Sequence, residues 1–191
     1  MSRLVCAQCH KPIARCYCPF ITKVDNDIEL VIWQHPKEVN HPKGSIDLLG
    51  SCLSNVKIIV HEQLTFEEFE TQCGKGLSRT LLSPVTKEPS KQLHAQSSPV
   101  EQLLIIDGSW RKARKIYHLN PWLADLPQIK LDTQHDSQYR IRKSEKDGQY
   151  STLEAACLGL AQLENNSKYA AIHQSFAEYM NHLAKFYPHL Q

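Results

Sequence analysis

No stretch of this 191-residue chain is apolar for long enough to span a bilayer, and its first residues lack the hydrophobic core of a secretion signal. Both absences point to a cytosolic protein without membrane partners. Glycine-rich phosphate loops are missing too: there is neither a GxGxxG nor a Walker sequence, which disfavours dinucleotide and nucleoside-triphosphate chemistry. No internal repeat is present, so repeat architectures drop out. What remains is a chain with 41% hydrophobic residues, enough to bury one full core with room for a small appendage. The expected division is an appendage over residues 1–22 and a main domain over 23–191.

Net charge is also scarce, at +2, but it is unevenly spread. Between Arg111 and Lys146 nine Lys and Arg stand against four Asp and Glu, a local balance of +5, so the remainder carries −3. A basic stretch interleaved with Trp110, Tyr117 and Tyr139 suits phosphate contacts combined with base stacking. A solvated helix face accounts for the same charges without a ligand.

Seven cysteines make an odd number, and four of them crowd the first eighteen residues, which argues against a disulfide framework. Cys6, Cys9, Cys16 and Cys18 form a CxxC, six-residue loop, CxC arrangement. Four thiolates so spaced can close a tetrahedron around Zn2+, with Pro12 and Pro19 favouring the turns. A full thiolate set leaves no open position, so such a knuckle holds structure and performs no chemistry. His10 is a possible substitute ligand, and four ordinary reduced thiols are the alternative. Cys52, Cys73 and Cys157 sit in apolar surroundings and read as core or loop residues.

Along the chain, strand and helix patterns alternate. Strands are expected at 28–34, 56–61, 80–82, 103–106, 128–131 and 139–142, and helices at 46–53, 66–71 and after Trp110, with a loop over 85–100. Two helices finish the chain. The first opens on a capping box, Ser151 with Glu154 three residues on, and carries the stripe Leu153, Ala156, Cys157, Leu160 and Leu163. The second places Ile172, Phe176, Tyr179, Met180 and Leu183 on one face. Alternation of this kind predicts an α/β domain with a mostly parallel sheet.

Within that pattern the run Leu103 to Ile106 is apolar and β-branched enough to be an inner strand, and Asp107 follows it at the carboxyl end. Ligands of open α/β sheets bind at that edge, so a carboxylate there, with Gly108 allowing close backbone approach, is placed for proton transfer. Asp is also a common helix cap, and the two roles can coexist.

The stretch LLIIDGSWRKARKIYHLNPWL (103–123) resembles the DTW-domain family. SQYRIRK at 137–143, STLEA at 151–155, WQHPKEVNHPKGS at 33–45 and the cysteine cluster extend the likeness, in the family's order, over most of the chain. Ser109 stands where the Asp-x-Thr-Trp signature has threonine, keeping the hydroxyl and dropping a methyl; Ser45 resembles a similar replacement upstream. Characterised members are tRNA-uridine aminocarboxypropyltransferases with S-adenosylmethionine as donor. The resemblance therefore implies a SPOUT-like fold with a knotted cofactor pocket, tRNA as partner, and transfer of a 3-amino-3-carboxypropyl group to uridine N3. It places the uridine in the tRNA variable loop after the bacterial relatives, while a more distant branch points to ribosomal RNA.

On that basis Asp107 is the expected catalytic base for the N3 proton. Trp110 either stacks on the uracil or walls the adenine pocket, with a core aromatic as the plain alternative. Ser109, Tyr139, Ser151 and Thr152 complete the expected cofactor set, the open amides at the last-named pair suiting the donor's carboxylate. Arg111, Arg114, Lys115, Arg140, Arg142 and Lys143 are expected on RNA phosphates, with a plain basic edge strand as the alternative for the last three. His35 and His41 resemble pocket-lining loop residues. A SPOUT-type RNA methyltransferase and a non-catalytic zinc-knuckle RNA-binding protein are the competing functions.

Overall fold

In a computed structural model, residues 4–41, 45–82, 99–131 and 150–186 are described. β1 (Glu29–Gln34) and β4 (Gln102–Asp107) each bury five of their six residues, and they lie side by side in the middle of the sheet. β2 (Val56–Val60) flanks β1, while β3 (Arg79–Leu82) and the short β5 (Gln128–Ile129) continue beyond β4. The order is β2-β1-β4-β3-β5 and every pairing is parallel. The α/β class and the parallel sheet are as the alternation predicts. The expected strand at 139–142 and most of the 85–100 loop lie outside the described residues. So does the segment 132–149, and the implied knot is not shown among the described residues.

Alternate residues of the central strands bury into opposite layers, as pleating requires. Leu30, Ile32, Leu103 and Ile105 pack with α1 (Ile46–Cys52), α4 (Thr152–Glu164) and α5 (Ala170–Phe186). Val31, Trp33, Leu104 and Ile106 pack with α2 (Phe66–Cys73) and α3 (Trp110–Leu119). The predicted stripes of α4 and α5 are the buried ones, with Leu163 and Met180 at the margin. α4 lies close against β4 because Gly159 has no side chain: a Cβ there would stand 3.0 Å from Leu103 Cδ2. Cys52, Cys73 and Cys157 are all buried.

This topology places a site. From β1 the chain passes through α1 to the edge strand β2; from β4 it passes through α3, on the opposite layer, to β5 at the other edge. Adjacent parallel strands whose connections diverge in this way leave a crevice at their carboxyl ends. The last residues of those strands are Gln34 and Asp107.

Candidate active site and metal centre

Gln34 and Asp107 are register partners, and Gln34 Nε2 donates to Asp107 Oδ2 at 2.9 Å. From the opposite side Thr152 Oγ1 donates to Asp107 Oδ1 at 2.7 Å. Two neutral donors thus fix the carboxylate, and neither belongs to α3. Asp107 is therefore not the cap of that helix, which starts after Ser109 without a side-chain cap bond. Burial pushes the Asp107 carboxyl above its ordinary range; the Thr152 and Gln34 hydrogen bonds pull it back without cancelling the effect, and the nearby Glu38 carboxylate adds to the rise. A carboxylate with raised proton affinity is the better general base near neutral pH.

Thr152 is itself held in place. Ser151 Oγ accepts from Glu154 N–H at 3.2 Å and Ser151 N–H donates to Glu154 Oε2 at 2.8 Å, the capping box expected from the sequence. The other Glu154 oxygen meets His173 Nε2 of α5 at 3.3 Å. Burial pushes the Glu154 carboxyl up, but His173 and the two Ser151 contacts together outweigh it and hold the group below the usual range.

The loops after β1 and β2 brace the other flank. His35 N–H donates to Asp107 O at 2.9 Å, and its ring Nδ1 accepts from Lys37 N–H at 3.0 Å. Nε2 consequently carries the ring proton and faces Glu62 Oε1 at 2.8 Å. His35 is 1% exposed, so it is a strut beneath the site and does not line a pocket; His41 is exposed. Glu62 Oε2 pairs with Lys115 at 2.5 Å, and Glu38 Oε1 accepts from Lys112 Nζ at 2.7 Å and Ser109 N–H at 3.2 Å. Burial raises the Glu38 carboxyl, yet Lys112 and the Ser109 amide win and its proton affinity is lowered. Asn120 fastens the Glu62 loop to α3 through Leu64 N–H, Glu62 O and Ile116 O at 2.8, 3.0 and 2.6 Å.

α3 presents Arg111, Arg114, Lys115 and His118 to solvent, at the i, i+3, i+4, i+7 spacing of one helical face. Lys112 and Lys115 are engaged by Glu38 and Glu62; among the described residues no ion pair holds Arg111 or Arg114. Trp110, 59% exposed, stands at the start of this face beside Asp107, which rules out the core-aromatic alternative. Tyr117 is half-buried against the second core layer and accepts a 3.3 Å bond from Gln128 Nε2 at its hydroxyl. Ser109 is exposed at the same turn. Gly108 is hemmed in by the protein itself, since a Cβ there would meet Lys112 Cβ at 3.1 Å and His35 Cβ at 3.6 Å. Tyr139, Arg140, Arg142 and Lys143 lie outside the described residues.

At the N-terminus the sulfurs of Cys6, Cys9, Cys16 and Cys18 lie within 4.8 Å of one another, with Cys6–Cys18 and Cys9–Cys16 separations of 3.8 Å. Zn–S bonds of about 2.3 Å in a tetrahedron require S–S edges of roughly 3.8 Å. The spacing fits zinc and is far too long for disulfides, for which S–S is about 2.05 Å. His10 is not among the clustered ligands and takes a positive φ of 56° where the chain turns. Phe20 packs on Tyr179 of α5 with ring centroids 5.5 Å apart, and Tyr179 donates to Arg15 O at 3.2 Å, so the cysteine-bearing segment is docked on α5.

The family model for the DTW domain matches residues 3–187. This chain belongs to the DTW-domain family. Its relatives include proteins named tRNA-uridine aminocarboxypropyltransferase 2. The macaque (Macaca fascicularis) protein is 33% identical over 85% of this chain and 57% of its own length. The Drosophila melanogaster protein is 29% identical over 95% of this chain and 74% of its own, and the Mus musculus protein 29% identical over 85% and 57%. The chain thus spans little more than half the length of the two mammalian relatives. No solved structure matches.

Of the residues expected to act in this DTW domain, Asp107, Ser109, Trp110, Ser151 and Thr152 converge on one edge of the sheet, and the cations of α3 continue from it. Sequence reading missed Gln34, Glu38 and Glu62. Gln34 carried a usable signal, because ELVIWQ ends in a polar residue just as LLIID does. Glu38 lay inside the 33–45 motif with no role assigned to it, and Glu62 carried no signal, since its partners are remote in sequence.

Proposed function

We propose that this DTW-domain protein transfers the 3-amino-3-carboxypropyl group of S-adenosylmethionine to N3 of a uridine in tRNA, in the variable loop. The observation that carries the reading is Asp107 at the crevice between β1 and β4, fixed by Gln34 and Thr152, with exposed Trp110 and a basic helix face leading away from it. The names of the relatives support the same activity.

In this reading Asp107 takes the imide proton as N3 attacks the donor's aminocarboxypropyl carbon. The carbon–sulfur bond breaks with its electron pair going to sulfur, so the sulfonium leaves as neutral 5′-methylthioadenosine and the proton passes from Asp107 to solvent. Gln34 and Thr152 keep the carboxylate aimed, Trp110 offers a face for the uracil or the adenine, and Arg111 and Arg114 contact phosphates. Ser109, Ser151 and Thr152 border the donor, with Tyr139, Arg140, Arg142 and Lys143 assigned to donor or RNA contacts. Zinc on the four cysteines supplies a fixed fold for residues 1–22 ahead of the domain over 23–191, and no chemistry.

The test is incubation of the full chain with tRNA and labelled donor, followed by mass spectrometry of digested nucleosides and by-products. An aminocarboxypropyl-uridine with 5′-methylthioadenosine is expected. S-adenosylhomocysteine would instead identify a methyltransferase, and absence of donor binding would leave an RNA-binding module.

A further inference from the structure

The loop between Cys9 and Cys16 does more than join ligands. Cys6 N–H donates to Lys11 O at 2.8 Å and His10 N–H to Cys6 O at 2.9 Å, so the backbone of Lys11 is set by the same turn that gathers the thiols. Its side chain leaves the knuckle. Lys11 Nζ donates to Asn40 Oδ1 at 2.9 Å and pairs with Asp47 Oδ2 at 2.8 Å, and the Lys11 side chain is 20% exposed. Asn40 ends the turn that follows β1, at a positive φ of 61°, and Asp47 lies in the first turn of α1.

That turn is the one bearing Glu38. Its backbone is held by Glu38 N–H to His35 O at 2.8 Å and His41 N–H to Glu38 O at 3.0 Å, and its carboxylate holds Lys112 and Ser109 N–H at the start of α3, beside Asp107. From the thiols to the reacting edge there is thus one continuous set of contacts: knuckle, Lys11, Asn40, Glu38, α3. We infer that Lys11 is a positioning residue that transmits the order of the metal knuckle to the Glu38 turn at the substrate edge. The inference rests on the cysteines binding zinc and on that edge being the reacting site.

A lysine suits the task. One ammonium can serve two acceptors on separate elements, and severing it releases the turn from the knuckle while leaving the thiols intact.

The experiment uses the full chain, zinc-loaded, with amide hydrogen exchange of residues 35–41 and of the start of α3 as readout. Lys11→Met should keep one equivalent of zinc and speed exchange at Glu38 and His41 by about tenfold or more, as for a turn that has lost a tether. Stripping zinc from the wild type should give the same increase, and stripping it from Lys11→Met should add nothing at those amides. Lys11→Arg should restore most of the protection. In single-turnover transfer the Lys11→Met rate should fall with RNA affinity nearly unchanged. Should Lys11→Met lose zinc, Asn40→Gly removes the same acceptor from the other side while tolerating the positive φ, and takes its place. Unchanged exchange at 35–41 with zinc bound overturns the inference, as does loosening confined to residues 6–18 on stripping. A wild type that transfers nothing removes the functional reading, while the exchange measurements still decide the role of Lys11.

Discussion

Replacing Asp107 by asparagine separates the chemistry of this site from its architecture. The side chain keeps its size, and the amide oxygen can still accept from Thr152 Oγ1, now at 2.7 Å. On the other side the new amide N–H groups would face Gln34 Nε2, itself a donor at 2.9 Å. One hydrogen bond is therefore lost or Gln34 must turn its amide over, a cost of about 1 kcal/mol. An opposing gain comes from burial. Because the folded-state pKa of Asp107 is raised, the native state holds its proton more tightly than the unfolded chain does, so this group favours the fold in acid and works against it as pH rises through the folded pKa. Asn removes that penalty at neutral pH. The two effects oppose each other, so the net stability change should stay within about 1 kcal/mol, a melting shift of no more than about 4 °C.

Activity should behave differently. Loss of a general base costs about 10²- to 10⁴-fold, equivalent to about 2.7–5.4 kcal/mol of activation free energy. The assay is single-turnover transfer of labelled donor to tRNA, run beside thermal unfolding and a donor-binding titration. Because uridine N3 loses its proton more readily as pH rises, alkaline buffer should restore part of the mutant's rate relative to wild type. Activity within threefold of wild type in the folded mutant would refute the base assignment. A folded, donor-binding mutant that is inactive at every pH would assign Asp107 to positioning the uracil or the donor's ammonium.

The pH profile offers a pair of opposite signs. Thr152→Val deletes a bond that lowers the Asp107 pKa and should move the acid limb of the rate profile upward, whereas Glu38→Gln deletes an anion that raises it and should move the limb downward. Arg111→Ala with Arg114→Ala should weaken tRNA binding and reduce the salt slope by about two, with donor affinity unchanged; equal affinity across a salt titration would make that face a solvated surface. Gly108→Ala should displace the first turn of α3, because its Cβ would stand 3.1 Å from Lys112 Cβ. Transfer should then fall more than tRNA affinity, and equal losses in both would show that α3 moves as a whole. Purified, unchelated protein should carry about one zinc, released by Cys9→Ser; metal analysis finding none removes the knuckle.

Much of this was legible in the residues because the signals were local. A buried run that stops at an acid identified the end of β4, Ser151 with Glu154 announced α4, and cysteine spacing anticipated a four-sulfur cluster. Strand order was not legible. Nothing in the residues between β3 and β4 says that β4 inserts between β1 and β3, yet that insertion makes Gln34 the register partner of Asp107. The same limit hid the division of labour on α3. Residue type and spacing do not say which of Arg111, Lys112, Arg114 and Lys115 are paired; the positions of Glu38 and Glu62 on the neighbouring loops do.

That division has a consequence for how a polyanion meets the site. A lysine already paired must exchange a carboxylate for a phosphate, gaining little, while an unpaired arginine gains the full contact and can take a phosphate with two parallel bonds. In the proposed reading Arg111 and Arg114, which no ion pair holds among the described residues, would therefore be the stronger phosphate ligands. The ion pairs of Lys112 and Lys115 meanwhile tie α3 to the loops after β1 and β2, which fixes the direction in which the arginines project. Trp110 begins that helix three residues after Asp107, so the carboxylate, the exposed indole and the two arginines are carried by one strand–helix junction. If the proposed transfer is this chain's activity, a nucleotide docked on the arginines would be presented to Asp107 in a fixed orientation, and that orientation would be the fold's contribution to the step.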